Sequence, residues 1–380
     1  MGSDLTIGIF GGGQLGRMLA MGARVMGYRS VSLDPGEDCP ASQVTDHHIV
    51  AAYDDLGAAR ELAERSDVVT YEFENVDATA IEVISELKPV YPSPSVLRVC
   101  QDREIEKSTM RELGIGVPEF RVVRSGEEAS EAVREIGVPV VMKTTRWGYD
   151  GKGQQVVRNA SDAEAAFEEL GGSEDAPVIV EGFVDFEMEV SVVCARSLDG
   201  KMRTFPVSEN VHVGGILDTS IVPARCSDAV KDEAVRVAMR IAEGLDVIGL
   251  IAVEMFVTRA GEVLVNELAP RPHNSGHYTI EGCETSQFEQ LARIMVEMPM
   301  GDVSLRSPTV MVNLLGDVWE TAGGSPDWGA VLAMPRAHLH LYGKSGYRTG
   351  RKMGHITVTG ETVEGALAVA IVAREAASRT

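Results

Sequence analysis

The sequence predicts a mixed chain, α/β at its start and α+β beyond, arranged as three units. Three observations carry this. Strand and helix patterns alternate over residues 1–100. From 101 to 300 they give way to longer apolar strands, a glycine-rich loop and a long helix. Residues 301–380 hold short strands and a closing helix from about Val363. Alternating strands and helices form parallel sheets covered by helices, and 380 residues suit two or three domains.

In the first unit, Leu5 to Phe10 reads as a buried strand running into glycines, and Gln14 to Gly27 as a helix. Its Leu15, Met18, Leu19 and Ala23 share one face. Ser30 to Leu33 is a strand stopped by the turn Asp34-Pro35-Gly36. His47 to Ala51, Asp67 to Thr70 and Pro89 to Tyr91 continue as strands, with helices at Leu56 to Glu64 and Thr79 to Leu87. Pro92-Ser93-Pro94-Ser95 punctuates the end. In the second unit, Asp102 to Leu113 is a charged helix and Asp228 to Leu245 a longer one. Val138 to Lys143, Val178 to Glu181, Val190 to Ala195 and Ile251 to Val257 are strands.

Charge narrows the partners. With 35 basic and 57 acidic residues the formal charge is −22. That disfavours nucleic acid and anionic membrane, which need a positive footprint, yet leaves room for a small anion in a local basic pocket. Five scattered cysteines with no C-x-x-C predict neither a disulfide framework nor a zinc site. The sequence has no 18-residue apolar run and no basic leader, so neither a membrane span nor a signal peptide is expected. A cytoplasmic location is the expectation.

Five constellations carry chemistry. Gly11, Gly13 and Gly16 fit G-x-G-x-x-G between a strand and a helix, with Asp34 ending the next strand. This is the dinucleotide fingerprint in its usual context, so an NAD(P)-dependent oxidoreductase is one reading. Next, Lys143 ends an apolar strand and leads into a glycine-rich loop, Gly148 to Gln154, with a second lysine at 152. Such a loop can close over a polyphosphate, although it is not a Walker A sequence. The third is a hairpin with Glu254 and Glu267 inside apolar strands. If Val257 opposes Glu262, Glu254 opposes Val265 and Glu267 lies diagonal to Glu254 on the same face. Asn266 adds an oxygen if the strand bulges. Magnesium is held by one or two carboxylates together with substrate phosphates, and a buried acidic pair is costly without a cation. Fourth, Pro270 to His277 is dense in donors, with Arg271 placed to clamp an anion. Last, Lys344, Arg348, Arg351 and Lys352 make a basic cluster suited to a monoester phosphate.

Together these resemble the N5-carboxyaminoimidazole ribonucleotide synthetases of the ATP-grasp superfamily. The resemblance runs from about Thr6 to Val358. It is carried by Gly11 to Met18, Tyr71 to Val76, Gly148 to Gln154, Asn266 to Arg271, His273 to His277 and Gly350 to His355. Gln14 stands where the related formate-using transformylases have Glu. The resemblance implies an ATP-grasp fold with a Rossmann-like N-terminal domain over 1–100. The ATP-grasp domain would cover 101–300, with a lid over about 115–182, and a small C-terminal domain 301–380. It implies ATP contacts from Arg103, Lys143, Gly148, Tyr149, Asp150, Gly151, Lys152, Gly153, Gln154, Glu181, Gly182, Phe183, Val184, Glu189, His212, Asn266 and Glu267. Glu181 would meet the adenine and Glu189 the ribose, while Glu254 and Glu267 hold Mg²⁺.

The nucleotide substrate would meet Gln14, Leu15, Glu74, Tyr149, Asp150, His273, Asn274 and Ser275, with its phosphate on Arg351 and Lys352. Lys143, Lys152 and Arg271 would neutralise the transferring phosphoryl group, and Asp150 would take the amine proton. The implied reaction is ATP-dependent carboxylation of aminoimidazole ribonucleotide by bicarbonate, by a homodimer. Trp147 departs from the family pattern, which has glycine there. The alternatives are the oxidoreductase and a non-catalytic nucleotide binder.

Overall fold

The computed structural model describes residues 4–148 and 153–378. The first unit is a four-stranded parallel sheet in the order His47–Val50, Arg29–Asp34, Thr6–Phe10, Val68–Tyr71. Its core side chains include Phe10, Leu33, Leu62, Val69 and Tyr71, all fully buried. The expected strand Pro89 to Tyr91 contributes one parallel bridge, Val69 to Val90. Pro89 and Pro92 have no N–H to give, so the ladder cannot extend. Pro94 is not punctuation: Pro94–Cys100 is a helix that follows Ser93, with proline in its first turn, where a missing N–H costs nothing.

A nine-stranded antiparallel sheet forms the middle of the molecule. Its order runs Val263–Ala269, Gly249–Thr258, Phe186–Arg196, Ser208–Val213, Ile216–Val222, Thr309–Leu315, Lys352–Thr359, Ala337–Leu341, with Met202–Thr204 on Phe186–Arg196. The strands of the third unit therefore continue the central sheet through the pairing of Ile216–Val222 with Thr309–Leu315. Helix Val363–Ala377 covers them and buries Ala366, Ala370, Ala373 and Ala377. A separate four-stranded sheet, Phe120–Val123, Val178–Gly182, Val140–Thr144, Gln154–Val157, carries the glycine-rich loop between its last two strands. The helix Gln14–Val25 packs on Gln287–Met295, which joins the first sheet to the central one.

Candidate functional site

The three sheets meet at a cleft of about 500 Å³. One wall is the acidic hairpin, and its register differs from the expected one. Val257 opposes Val263, the pairing shifts at Glu254/Met255, and Glu254 directly opposes Glu267. Asn266 is the extra residue, a bulge that turns both it and Glu267 toward the cleft. Directly opposed residues have Cβ atoms roughly 4.5–5.5 Å apart, closer than the diagonal pair expected from even pairing. The bulge frees carbonyls from the ladder, and Lys107 collects them. Its Nζ donates to Asn266 O at 2.6 Å and to Val265 O at 3.1 Å. Beside it, the Glu106 carboxylate accepts the Leu268 N–H at 3.0 Å. This Glu106-Lys107 pair, 2% and 1% exposed, holds the strand that carries Glu267.

The electrostatics follow from burial. Desolvation pushes Glu254 up to about 7; nearby Glu267 adds to this and His212 opposes it. Two half-buried carboxylates set opposite each other, with Glu254 raised by burial and by its neighbour, are an arrangement that a cation would relieve. The oxygen donors fit magnesium. Among the described residues no cluster of three or more His, Cys, Asp or Glu is arranged for a metal, and magnesium needs only one or two carboxylates beside phosphates. Burial also raises the Glu181 carboxyl, but Lys107 and Lys143 outweigh it and hold the group at about 2. Lys143 Nζ bonds Glu181 at 2.8 Å, while Lys107 stands 3.8 Å off. Lys107 is itself held below its ordinary value, because burial and the neighbouring Lys143 exceed the pull of its acids. Glu106 is pushed up to about 8 by burial. Across the cleft, Arg271 Nε meets Glu74 at 2.5 Å. Burial would raise Glu74, and Arg271 brings it below the usual carboxylate range. His212 Nδ1 lies 2.9 Å from Glu189; burial works against its proton, but Glu189 and Glu254 raise it.

Of the expected residues, Gln14, Leu15, Glu74, Lys143, Gln154, Phe183, Glu189, His212, Glu254, Asn266, Glu267, Arg271, His273, Asn274 and Lys352 line the cleft. Arg103 donates to Thr144 O at 2.9 Å behind the lid strand. Gly148, Gly153, Gly182 and Val184 flank the cleft without lining it. Glu181 turns its carboxylate to the two lysines, so only its backbone remains for a ligand. Ser275 is fully buried, its hydroxyl bonded to Ser191 and His273. Arg351 donates to Ser345 O and Gly346 O at 2.7 and 2.8 Å, outside the lining. Tyr149, Asp150, Gly151 and Lys152 lie outside the described residues. Trp147 has φ 64, the left-handed region in which glycine is unstrained.

Sequence reasoning missed an apolar slot of Val141, Val156, Phe186 and Phe256, with the two phenylalanines stacked at 4.7 Å. It also missed Glu106 and Lys107. Their spacing from Arg103 and Met110 puts all four on one helix face, a signal available in the sequence.

The glycine-rich turn is corrected. Glu72 fills it: the Gly13 N–H donates to Oε1 and the Gly16 N–H to Oε2 at 2.8 Å. The Gly12 N–H donates to Asp34 at 2.9 Å. An added Cβ at Gly11 or Gly13 would run into Glu72. These glycines admit an internal carboxylate where a dinucleotide would set its pyrophosphate, so the oxidoreductase reading has no site.

Comparison with known proteins agrees with this geometry. Family models match as the ribonucleotide synthetase preATP-grasp domain over residues 5–101, the ATP-grasp domain over 108–288, and the phosphoribosylaminoimidazole carboxylase C-terminal domain over 309–368. The chain is 45% identical over 352 residues to the N5-carboxyaminoimidazole ribonucleotide synthase of Bacillus subtilis, covering 93% of this chain and 90% of that one. It is 46% identical over 353 residues to the Brucella melitensis enzyme of that name, covering 93% and 95%. The crystal structure of N5-carboxyaminoimidazole synthase from Aspergillus clavatus, in complex with ADP and 5-aminoimidazole ribonucleotide, superposes with TM-score 0.91. Identity there is 32%, with 100% of both chains covered.

Proposed function

We propose that this chain, which belongs to the N5-carboxyaminoimidazole ribonucleotide synthase family of ATP-grasp ligases, carboxylates 5-aminoimidazole ribonucleotide with bicarbonate at the expense of ATP. One observation of the molecule carries this: the opposed Glu254 and Glu267 line one cleft together with an apolar slot and Lys352. The slot suits a flat base, and the lysine suits a phosphate monoester.

Bicarbonate is a poor electrophile. Its oxygen attacks the γ-phosphorus of ATP, the bond to ADP breaks, and carboxyphosphate forms. Bound magnesium would neutralise charge on the phosphates, held by Glu254 and Glu267 with Asn266 beside them. Lys143 and Arg271 supply fixed positive charge to the phosphoryl group as it moves. Arg271 is oriented for this by Glu74. The exocyclic amine of the ribonucleotide then attacks the carboxyl carbon, phosphate leaves, and the amine sheds a proton. We assign that proton to Asp150. Phe183 and Phe186 line the cleft, and closure of the lid over them would limit the water that reaches the carboxyphosphate.

The same reading gives the ATP contacts to Lys143, Glu189, His212 and the loop 148–154, and the nucleotide contacts to Gln14, Glu74, Asn274 and Lys352. We divide the chain at 1–100, 101–300 and 301–380, supported by the three family-model spans. A homodimer is proposed from the family resemblance, as is a cytoplasmic location; no described helix is long and apolar enough to cross a membrane. The test is phosphate release with each substrate omitted in turn. The proposal expects release only when ATP, magnesium, bicarbonate and aminoimidazole ribonucleotide are all present. Release unchanged without the ribonucleotide would overturn it.

A further inference from the structure

Behind the cleft, a run of buried hydroxyl and amide groups links the central sheet to His273. Ser191, Ser208, Asn210, Ser220 and Ser275 are all 5% exposed or less. Four come from three adjacent strands of the sheet, and Ser275 from the turn Asn274–Gly276. Buried polar groups that bond one another in series have defined directions once one end is fixed.

A long backbone contact shows which way this series runs. The Ser275 N–H points at His273 Nδ1 at 3.3 Å, so that nitrogen carries no proton. Ser275 Oγ, 2.9 Å from the same nitrogen, therefore spends its own proton on it. Its lone pair then accepts from Ser191 Oγ at 2.7 Å. Ser191, having given its proton, accepts twice: from the Asn210 amide at 2.9 Å and from Ser208 at 2.8 Å. Asn210 Oδ1 in turn accepts from Ser220 at 3.0 Å. Every link points toward the imidazole. The remaining proton of the neutral ring sits on Nε2, which lies 3.4 Å from Glu254 Oε1.

We propose that Ser220, Asn210, Ser191 and Ser275 form a one-way hydrogen-bond chain that fixes His273 as its Nε2–H tautomer, so that a neutral donor faces Glu254. They are positioning residues and touch no substrate. In the opposite tautomer Nε2 would present a lone pair, a nitrogen ligand competing for the cation between Glu254 and Glu267. Fixing the proton keeps that set purely of oxygen, and it holds one Glu254 oxygen in place. Its functional weight rests on the ligase reading above; the tautomer itself does not.

The test uses full-length protein labelled with ¹⁵N-histidine. The His273 ring signals are identified by their loss in His273→Gln. Wild type should show a protonated Nε2 and a bare Nδ1. Ser191→Ala should show both tautomers, with kcat down about tenfold and the ribonucleotide KM within about twofold, as expected of an outer partner of a metal ligand. Ser191→Thr, which keeps the hydroxyl, should restore both. A proton on Nδ1 in wild type overturns the proposal. So does a Ser191→Ala spectrum identical to wild type. If Ser191→Ala fails to fold, Ser275→Ala gives the same reading one link nearer the ring. Failure of the ligase reading would show separately, as wild-type phosphate release indifferent to the ribonucleotide.

Discussion

Replacing Glu181 by glutamine removes the carboxylate that faces both Lys107 and Lys143. The native group titrates at about 2 against 4.5 in the unfolded chain. A depressed carboxylate contributes stability that is full above the unfolded value and is lost as pH falls toward the folded one. The window is therefore pH 4.5 down to about 2. A shift of that size corresponds to about 3 kcal/mol, of which somewhat under half is lost by pH 3.5. The side chain is 3% exposed, so solvent screening takes little of this. Urea unfolding followed by tryptophan fluorescence at pH 7, 5, 4 and 3.5 measures it. Glu181→Gln should be less stable at pH 7, since buried Lys107 and half-buried Lys143 lose their counter-charge. Its stability should also fall less steeply than that of wild type between pH 4.5 and 3.5. Parallel curves for the two proteins would refute the assignment.

Other perturbations test separate parts. Gly153 has φ +70, and an added Cβ would meet Thr144 Oγ1 at 2.8 Å. Gly153→Ala should cost about 1 kcal/mol or more at the base of the loop, seen as a raised KM for ATP with the ribonucleotide KM unchanged. Lys352→Ala removes a cation from the cleft wall and should raise the ribonucleotide KM about tenfold or more, read by steady-state kinetics. Arg351→Ala should raise the same KM, and a matching melting temperature would separate substrate contact from its bonds to Ser345 and Gly346.

Much of this was legible beforehand because apolar periodicity reports burial directly. The helix Leu56–Glu64 fell where spacing put it, and helix Asp228–Gly244 ended within a residue of its expected close. Motif order carried the family. What the sequence concealed were features set by contacts distant in the chain. The shift that opposes Glu254 to Glu267 depends on a bulge that Lys107 stabilises from another element. The shared face of Glu106 and Lys107 could be read from spacing, but what it meets lies 158 to 162 positions away. The glycine fingerprint misled for a related reason: close backbone approach was needed, but by Glu72, 56 to 59 positions on. The chain from Ser220 to His273 uses residue types that are individually unremarked in strands.

The account turns on Glu254 and Glu267 gathering magnesium with the triphosphate. Calorimetric titration of ATP into wild type and Glu254→Gln/Glu267→Gln, with magnesium and with EDTA, tests it most directly. Wild type should bind ATP about tenfold tighter or more with magnesium, and the double variant should bind equally under both conditions. A double variant that keeps the wild-type magnesium dependence would contradict the account.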